Sequence, residues 1–250
     1  MSNILIVGAG PSGLAAAEAL AQNSAHKIDI FDRAPSAGGL YNLITRFGRL
    51  NPTFISNKVE TLKSAGVNFR LNQNINLRRL GKYLKRYDHI FIATGTQTPK
   101  PLNIPGHHRR HVVPAMKFLN STCDAPRKIV IVGAGRTAHD CANFSKLHGF
   151  HCEIYYHKPE SALKSPKLPE IPYFFDATPT KVVKNGIVFS INGEKRTILC
   201  DFVVVCLGSI SKIPQKCLKN PKIHIIGDAA TGPTDLARTI ANARTAASRI

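Results

Sequence analysis

Ile4-Leu5-Ile6-Val7 runs without a break into Gly8-Ala9-Gly10-Pro11-Ser12-Gly13. The apolar run is of the kind that makes a strand buried on both faces. Leu14 to Asn23 is alanine-rich and predicts a helix, and Lys27 to Phe31 predicts a second strand ending at Asp32. Strand, G-x-G-x-x-G, helix, strand and acid, in that order and spacing, form the pattern of a dinucleotide-binding unit. Each part has a physical task. Gly8 makes the tight turn, Gly10 lets the backbone approach a pyrophosphate, and Gly13 lets the helix close on the strand. The helix N-terminus offers unpaired N–H groups and the positive end of its dipole to phosphate. Asp32 can accept hydrogen bonds from a ribose diol. Which dinucleotide is meant stays open at this point.

The pattern returns in the second half. Lys128-Ile129-Val130-Ile131-Val132 predicts a strand, and Gly133-Ala134-Gly135-Arg136-Thr137-Ala138 is G-x-G-x-x-A. His139 to His148 continues as a helix and His151 to Tyr156 as the next strand. Where the first unit has Asp32, the second has His157 and Lys158. No carboxylate is available there for a 2′-hydroxyl. A basic pair suits a 2′-phosphate, which favours NADP(H) over NAD(H), and Arg136 at the helix start could add a phosphate contact. The plainer reading, two surface residues after a strand, leaves NAD open.

Between and around these units the chain reads as an α/β protein with parallel sheets. Ala34 to Leu40 is a turn-rich loop whose Gly38-Gly39 would allow close approach of a cofactor. Phe47 to Pro52 is loop-like, and Thr53 to Ser64 predicts a helix. Val67 to Leu71 alternates like a strand, and Asp88 to Ala93 is a buried strand closed by Thr94-Gly95. Prolines from Thr98 to Pro105 suit a domain crossing. A short helix is expected within Val112 to Leu119, and a loop or crossing over Ser165 to Pro179. Asn185-Gly186 predicts a hairpin turn within Thr180 to Ile191, and Asn192-Gly193 a second turn into Thr197–Leu199. Phe202 to Gly208 is a buried strand ending in glycine. Ile223 to Gly227-Asp228 is another, followed by Pro233 and a helix from about Thr234 to Arg249.

Composition narrows the class. The chain has 250 residues, enough for one large or two small domains. It has no long uncharged apolar run that would span a membrane. The first apolar run is the first strand, so no signal peptide is expected. Cysteines at 123, 141, 152, 200, 206 and 217 have neither redox-disulfide nor zinc spacing, and they read as reduced thiols of a cytoplasmic protein. The His107–His111 cluster fits no metal-ligand spacing and reads as a basic surface loop. No metal site is expected. The formal charge is +19. Such a field attracts polyanions and acidic proteins, or it is merely a solvated basic surface. No nucleic-acid motif accompanies it.

Several segments together resemble a family: Gly8–Gly13 with Asp32, Ala37-Gly38-Gly39-Leu40, Ala93-Thr94-Gly95, Ile104-Pro105-Gly106, Gly133 to Ala142, and Gly227-Asp228-Ala229-Ala230 with Gly232-Pro233-Thr234. Their order is similar to that of the two-dinucleotide-fold flavoproteins, the pyridine-nucleotide-disulfide-oxidoreductase superfamily. Within it, the glutamate synthase small subunit and the adrenodoxin-reductase type of ferredoxin–NADP reductase are nearest. The resemblance implies two Rossmann-like domains: an FAD domain over 1–98 and 206–250, with an NAD(P) domain inserted at 99–205. It places FAD at Gly8, Gly10, Pro11, Ser12, Gly13, Asp32, Arg33, Gly39, Leu40, Thr94 and Gly95. It gives Asp228 to the flavin ribityl chain, with Gly227, Pro233 and Thr234 beside it, and aims the last helix at the flavin's pyrimidine edge. The nicotinamide nucleotide falls to Gly133, Gly135, Arg136, Thr137, Ala138, His157 and Lys158.

That family passes a hydride from NADPH to flavin and electrons onward, with no acid–base side chain required; no catalytic side chain is singled out. A basic surface would steer an acidic ferredoxin-like acceptor. A homodimer is compatible with the sequence. The chain departs from the family in several respects. It has no redox disulfide and no cysteine-rich iron–sulfur extension. It carries Arg136 where Asn is usual and His157-Lys158 where Arg is usual. Residues 39–53 are shortened, and the chain as a whole is short. Two other readings stay open: a small-molecule flavin oxidase or monooxygenase, and a reduced-size, non-catalytic nucleotide-binding flavoprotein.

Overall fold

The computed structural model describes residues 1–46, 51, 53–121 and 127–250. The chain divides into two compact units, 1–98 with 209–250, and 99–208. The loop expected over 47–52 lies, apart from Asn51, outside the described residues, as does Cys123.

Unit 1 is built on strand β1 (Asn3–Val7). Helix α1 (Pro11–Leu20) follows, then β2 (Lys27–Phe31), α2 (Leu40–Arg46), α3 (Thr53–Ser64), β3 (Asn68–Arg70), α4 (Gly81–Leu84) and β4 (His89–Ile92). The chain returns with a strand at Ile223–Ile225 and a C-terminal helix at Leu236–Ala247. The sheet order is Ile223–Ile225, β4, β1, β2, β3, all parallel. Leu5 therefore faces Asp29 of β2 on one side and Ile90 of β4 on the other. A strand flanked and covered on all sides must be apolar throughout, and Ile4, Leu5 and Ile6 have no exposed surface.

Alanines decide how α1 packs. Ala15, Ala16 and Ala17 are buried with Ala243 and Ala247 of the C-terminal helix in one core. Small side chains let the two helices approach closely over the sheet. Glu18 pairs with Lys58 of α3 at 2.8 Å and with Arg244 of the C-terminal helix at 2.7 Å. Helix α1 begins at Pro11 and ends at Leu20, three residues earlier at each end than its composition suggested. Proline at the first helical position starts it, since its fixed φ is already helical.

Unit 2 repeats the plan. Its parallel sheet runs in the order Val112–Pro114, Phe202–Val205, Lys128–Val132, His151–Tyr155, Tyr173–Phe174. A helix, Arg136–Leu147, follows the central strand. A three-stranded antiparallel sheet, Ala177–Val183, Gly186–Ile191 and Glu194–Leu199, packs Val182, Ile187 and Phe189 into the core. The short helix expected within Val112 to Leu119 is Ala115–Leu119, preceded by the strand Val112–Pro114. One expectation is corrected here. The presumed loop 165–179 contains the edge strand Tyr173–Phe174 and the start of a hairpin. Prolines are tolerated there because Pro172 and Pro179 sit at or beside edge strands.

Candidate functional site

In unit 1 the glycine turn sits between the C-terminal ends of β1 and β4. Gly8 has φ +111°, and a β-carbon on it would lie 2.5 Å from Ala93 O. A β-carbon on Gly13 would lie 1.9 Å from Gly8 O, so this glycine is what lets α1 close on its own turn. At Gly10 the space is open, with nothing within 4 Å. Gly10 caps α1 without offering a side chain to the first-turn amides. The open site at the N-terminus of a buried helix is a cradle into which a phosphate fits.

Asp32 does more than face solvent. Its carboxylate accepts the Ala9 N–H at 2.7 Å and the Ala34 N–H at 2.8 Å. It therefore fixes the glycine turn, and its remaining lone pairs stay available for hydroxyl donors. Gly38-Gly39 serves the same loop. Gly38 donates its N–H to Ala9 O at 2.8 Å, and a β-carbon on Gly39 would lie 3.0 Å from Gly10 Cα. These glycines thus pack closely on the turn itself. Arg33 is exposed and donates to Gln97, which in turn donates to Thr94 O, so Arg33 is tied to the Thr94-Gly95 turn. Leu40 opens α2 and is exposed.

At the far strand, Gly227 turns with φ +61° against Ser12, and Asn242 accepts its N–H at 2.8 Å. Asp228 follows directly. Its Oδ1 accepts from Thr239 Oγ at 2.7 Å, Thr234 Oγ at 3.2 Å and Thr234 N at 3.3 Å. Gly227, Asp228 and Thr234 are thus brought together with Ser12, while Pro233 is an exposed neighbour. The last helix begins at Leu236, later than expected. Its cap is Asp235, whose carboxylate accepts the Arg238 N–H at 2.8 Å. That capping charge already answers the helix dipole and weakens its expected help to a negative ring.

Sequence reasoning missed Thr239 and Asn242. They stand three apart on the helix face that buries Ala243. A polar residue on an otherwise small, buried helix face was their only signal.

Unit 2 holds the same arrangement. Gly133 has φ +109°, and its β-carbon would lie 2.5 Å from Cys206 O, just as Gly8 meets Ala93 O. Gly135 caps the following helix and has nothing within 4 Å. Ala138, in place of a third glycine, is fully buried. Arg136, His157 and Lys158 are exposed beside this turn and its neighbouring strand end, and Thr137 is half-buried. Val132 and Tyr155 are paired in register, which brings the Gly133 turn and the segment after Tyr155 to one edge of the sheet.

Two cysteines meet in this unit despite their separation in sequence. Cys141 and Cys206 have their sulfurs 3.7 Å apart. The contact with the Cys206 thiol, and then burial, push the Cys141 thiol far above its ordinary range. A thiol so held stays protonated and is no nucleophile. Among the described residues no group of three or more His, Cys, Asp or Glu could hold a metal ion, and no helix is long and apolar enough to cross a membrane.

Comparison with known proteins agrees with this geometry. Residues 2–225 match the model of the family described as pyridine nucleotide-disulphide oxidoreductase. The chain is 32% identical over 155 residues to the NADP(+)-dependent formate dehydrogenase subunit beta of Moorella thermoacetica, covering 58% of this chain and 22% of that protein. It is 33% identical over 159 residues to a putative glutamate synthase [NADPH] small chain of Cereibacter sphaeroides, covering 58% and 38%. It therefore spans well under half the length of these curated relatives. The solved structure of Mycobacterium tuberculosis FprA in complex with NADPH superposes with a TM-score of 0.78 at 16% identity, covering 99% of this chain and 83% of that one, a likeness of fold. With a matched family model over most of its length and both glycine turns in place, the chain belongs to the pyridine nucleotide-disulphide oxidoreductase family.

Proposed function

We propose that the chain binds FAD in unit 1 and NADPH in unit 2, and acts as an NADPH-oxidising flavoprotein that delivers electrons to a small acidic redox protein such as a ferredoxin. One observation carries the reading. Two helices are each capped by a glycine with open space before it, and the strand beside each turn is followed by different residues: Phe31, which accepts the Gly8 N–H, by Asp32, and Tyr155, which accepts the Gly133 N–H, by Tyr156 and then His157-Lys158. The acid suits an unphosphorylated ribose and the basic pair a 2′-phosphate. FAD, when bound, supplies the redox chemistry, accepting a hydride and releasing electrons. The chain's own residues position and charge. Asp32 holds the turn and the adenosine ribose. Asp228, oriented by Thr234 and Thr239, accepts from ribityl hydroxyls. Arg136, His157 and Lys158 neutralise the phosphates of NADPH.

Relatives named for NADP and NADPH support the choice of reductant. A formal charge of +19 supports an acidic acceptor, since complementary fields raise encounter rates. The test is the visible spectrum of the purified chain before and after anaerobic NADPH. A flavin band that bleaches with NADPH, and more slowly with NADH, is expected. No flavin after reconstitution, or a band that does not bleach, refutes the reading. Acceptor reduction should slow as salt rises; salt-independent reduction would remove the acidic partner.

A further inference from the structure

Residues 70–87 carry Arg70, Arg78, Arg79, Lys82, Lys85 and Arg86, and no Asp or Glu. In the structure part of this run closes around a cavity of about 380 Å³ at the β3 edge of unit 1. Phe31, Tyr83 and Tyr87 form its floor. Tyr83 stands edge-on to Phe31, ring centres 6.2 Å apart, and 6.5 Å from Tyr87. Arg70, Lys82 and Arg86 form the rim, with Gln73 beside them.

The cations are placed by the rings. The Arg70 guanidinium lies 5.9 Å from the centre of Phe31, and Lys82 Nζ lies 4.9 Å from that of Tyr83. Such contacts hold a cation over an aromatic face without neutralising it. None of Arg70, Lys82 and Arg86 makes an ion pair among the described residues. The acid that reaches this floor, Asp29, is taken by Tyr87 Oη at 2.5 Å and Asn68 Nδ2 at 2.8 Å. Burial, then the bond to Asp29, raises the Tyr87 hydroxyl to about 12, so it remains that carboxylate's donor. Three positive groups thus converge on one concavity with their charge unanswered, an arrangement that draws in an anion.

We propose that this cavity binds a compact polyanion of phosphate chemistry, of pyrophosphate to nucleotide size. Two guanidinium groups and an ammonium suit phosphoryl oxygens, which arginine can take two at a time. Arg70 lies over one face of Phe31 and Lys82 over one face of Tyr83, which favours recognition of phosphoryl groups over a stacked base. This also argues against single-stranded nucleic acid, which uses open aromatic faces. The cavity belongs to neither glycine turn. It lies at the β3 edge of the sheet, two strand spacings from β1, or roughly 10 Å at about 4.8 Å each, and its Phe31 directly precedes Asp32. Arg70 O accepts the Asp32 N–H at 3.1 Å and Gln73 donates its N–H to Asp32 O at 2.8 Å, so the cavity's backbone is tied to the first turn.

The probe is inorganic pyrophosphate, titrated calorimetrically into the full chain after saturation with FAD and NADP+, which fill both glycine turns. Saturable one-to-one binding is expected. The combined variant Arg70→Gln, Lys82→Gln, Arg86→Gln should weaken it at least tenfold. A control, Lys181→Gln, Lys184→Gln, Lys195→Gln, removes the same charge from exposed positions of unit 2 and should leave it unchanged. Equal losses in both variants would reduce the effect to net charge and overturn the site. So would affinity that survives in the cavity variant. An acidic peptide or an oligonucleotide that binds more tightly than pyrophosphate, and is lost only in the cavity variant, would overturn the ligand class. The single variant Lys82→Gln, at an exposed position, should give an intermediate loss and guards against a misfolded triple variant.

Discussion

Thr239 Oγ donates to Asp228 Oδ1 at 2.7 Å, joining the C-terminal helix to the residue that follows the last strand. Thr239 is only 7% exposed, and its hydroxyl lies between Asp228 Oδ1 and Thr234 Oγ, 2.9 Å from the latter. Replacing it with Val leaves the carboxylate short of a charge-assisted hydrogen bond, a loss of roughly 1.5 to 3 kcal/mol. Thr239→Val should lower the melting temperature and loosen FAD about tenfold by fluorescence titration, equivalent to about 1.4 kcal/mol of binding free energy. Thr239→Ser keeps the hydroxyl and should restore most of the affinity. Equal affinity in Val and Ser variants would remove Thr239 from the positioning of Asp228.

Gly10 and Gly13 separate binding from packing. A β-carbon at Gly13 meets Gly8 O at 1.9 Å, and backbone cannot yield there as a flexible side chain would. Gly13→Ala should destabilise by about 3 kcal/mol or more, or fail to fold. A β-carbon at Gly10 meets nothing within 4 Å of the protein. Gly10→Ala should therefore fold normally, with an unchanged denaturant midpoint, yet purify without flavin. Flavin retained in a well-folded Gly10→Ala variant would mean that the pyrophosphate does not approach this turn.

Much of the fold could be read from sequence because its signals are local. The runs Ile4–Val7 and Lys128–Val132 must be buried whatever surrounds them, and each glycine turn follows its strand directly. The hairpin within Thr180 to Ile191 was equally visible, although its turn is Lys184-Asn185 and Gly186 already pairs with Val183 in the strand. What escaped was set by distant partners. Tyr173–Phe174 is a strand only because it pairs with Ile154–Tyr155. Arg70, Lys82 and Arg86 look like an ordinary basic run until β3 and α4 bring them around Phe31 and Tyr83. Asp32 was legible as a ribose acceptor, but its bond to the Ala9 N–H follows from a turn geometry that no spacing displays. The cysteines illustrate the limit most sharply: Cys141 and Cys206 share no sequence motif and touch only because a helix packs on the adjoining strand.

His157 and Lys158 carry the preference for phosphate at the second turn. Both are exposed, so their contribution should appear in binding and not in stability. The double variant His157→Gln, Lys158→Gln should raise KM for NADPH roughly tenfold, about 1.4 kcal/mol, and leave KM for NADH and the melting temperature unaltered. A parallel rise for both nucleotides would show that these residues do not read the 2′-phosphate.

His89 and His224 give unit 1 a dependence on pH. His89 Nδ1 lies 3.1 Å from His224 Nε2, and the His224 ring stacks on Phe91 at 4.8 Å. Burial lowers both below the ordinary value of 6.5. For His224 the neighbouring His89 adds to this; for His89, Asp88 opposes it while Lys222 and His26 add to it. The folded state therefore holds these rings neutral at a pH where the unfolded chain already takes protons. Stability from this pair is complete above about 6.5 and is lost as pH falls from there through the lowered folded values. The urea midpoint should accordingly drop between about pH 6.5 and pH 5. His224→Phe keeps the stacking on Phe91 and removes one titrating ring, so its midpoint should fall less steeply over the same range. A variant with the wild-type slope would place the dependence on groups other than this pair.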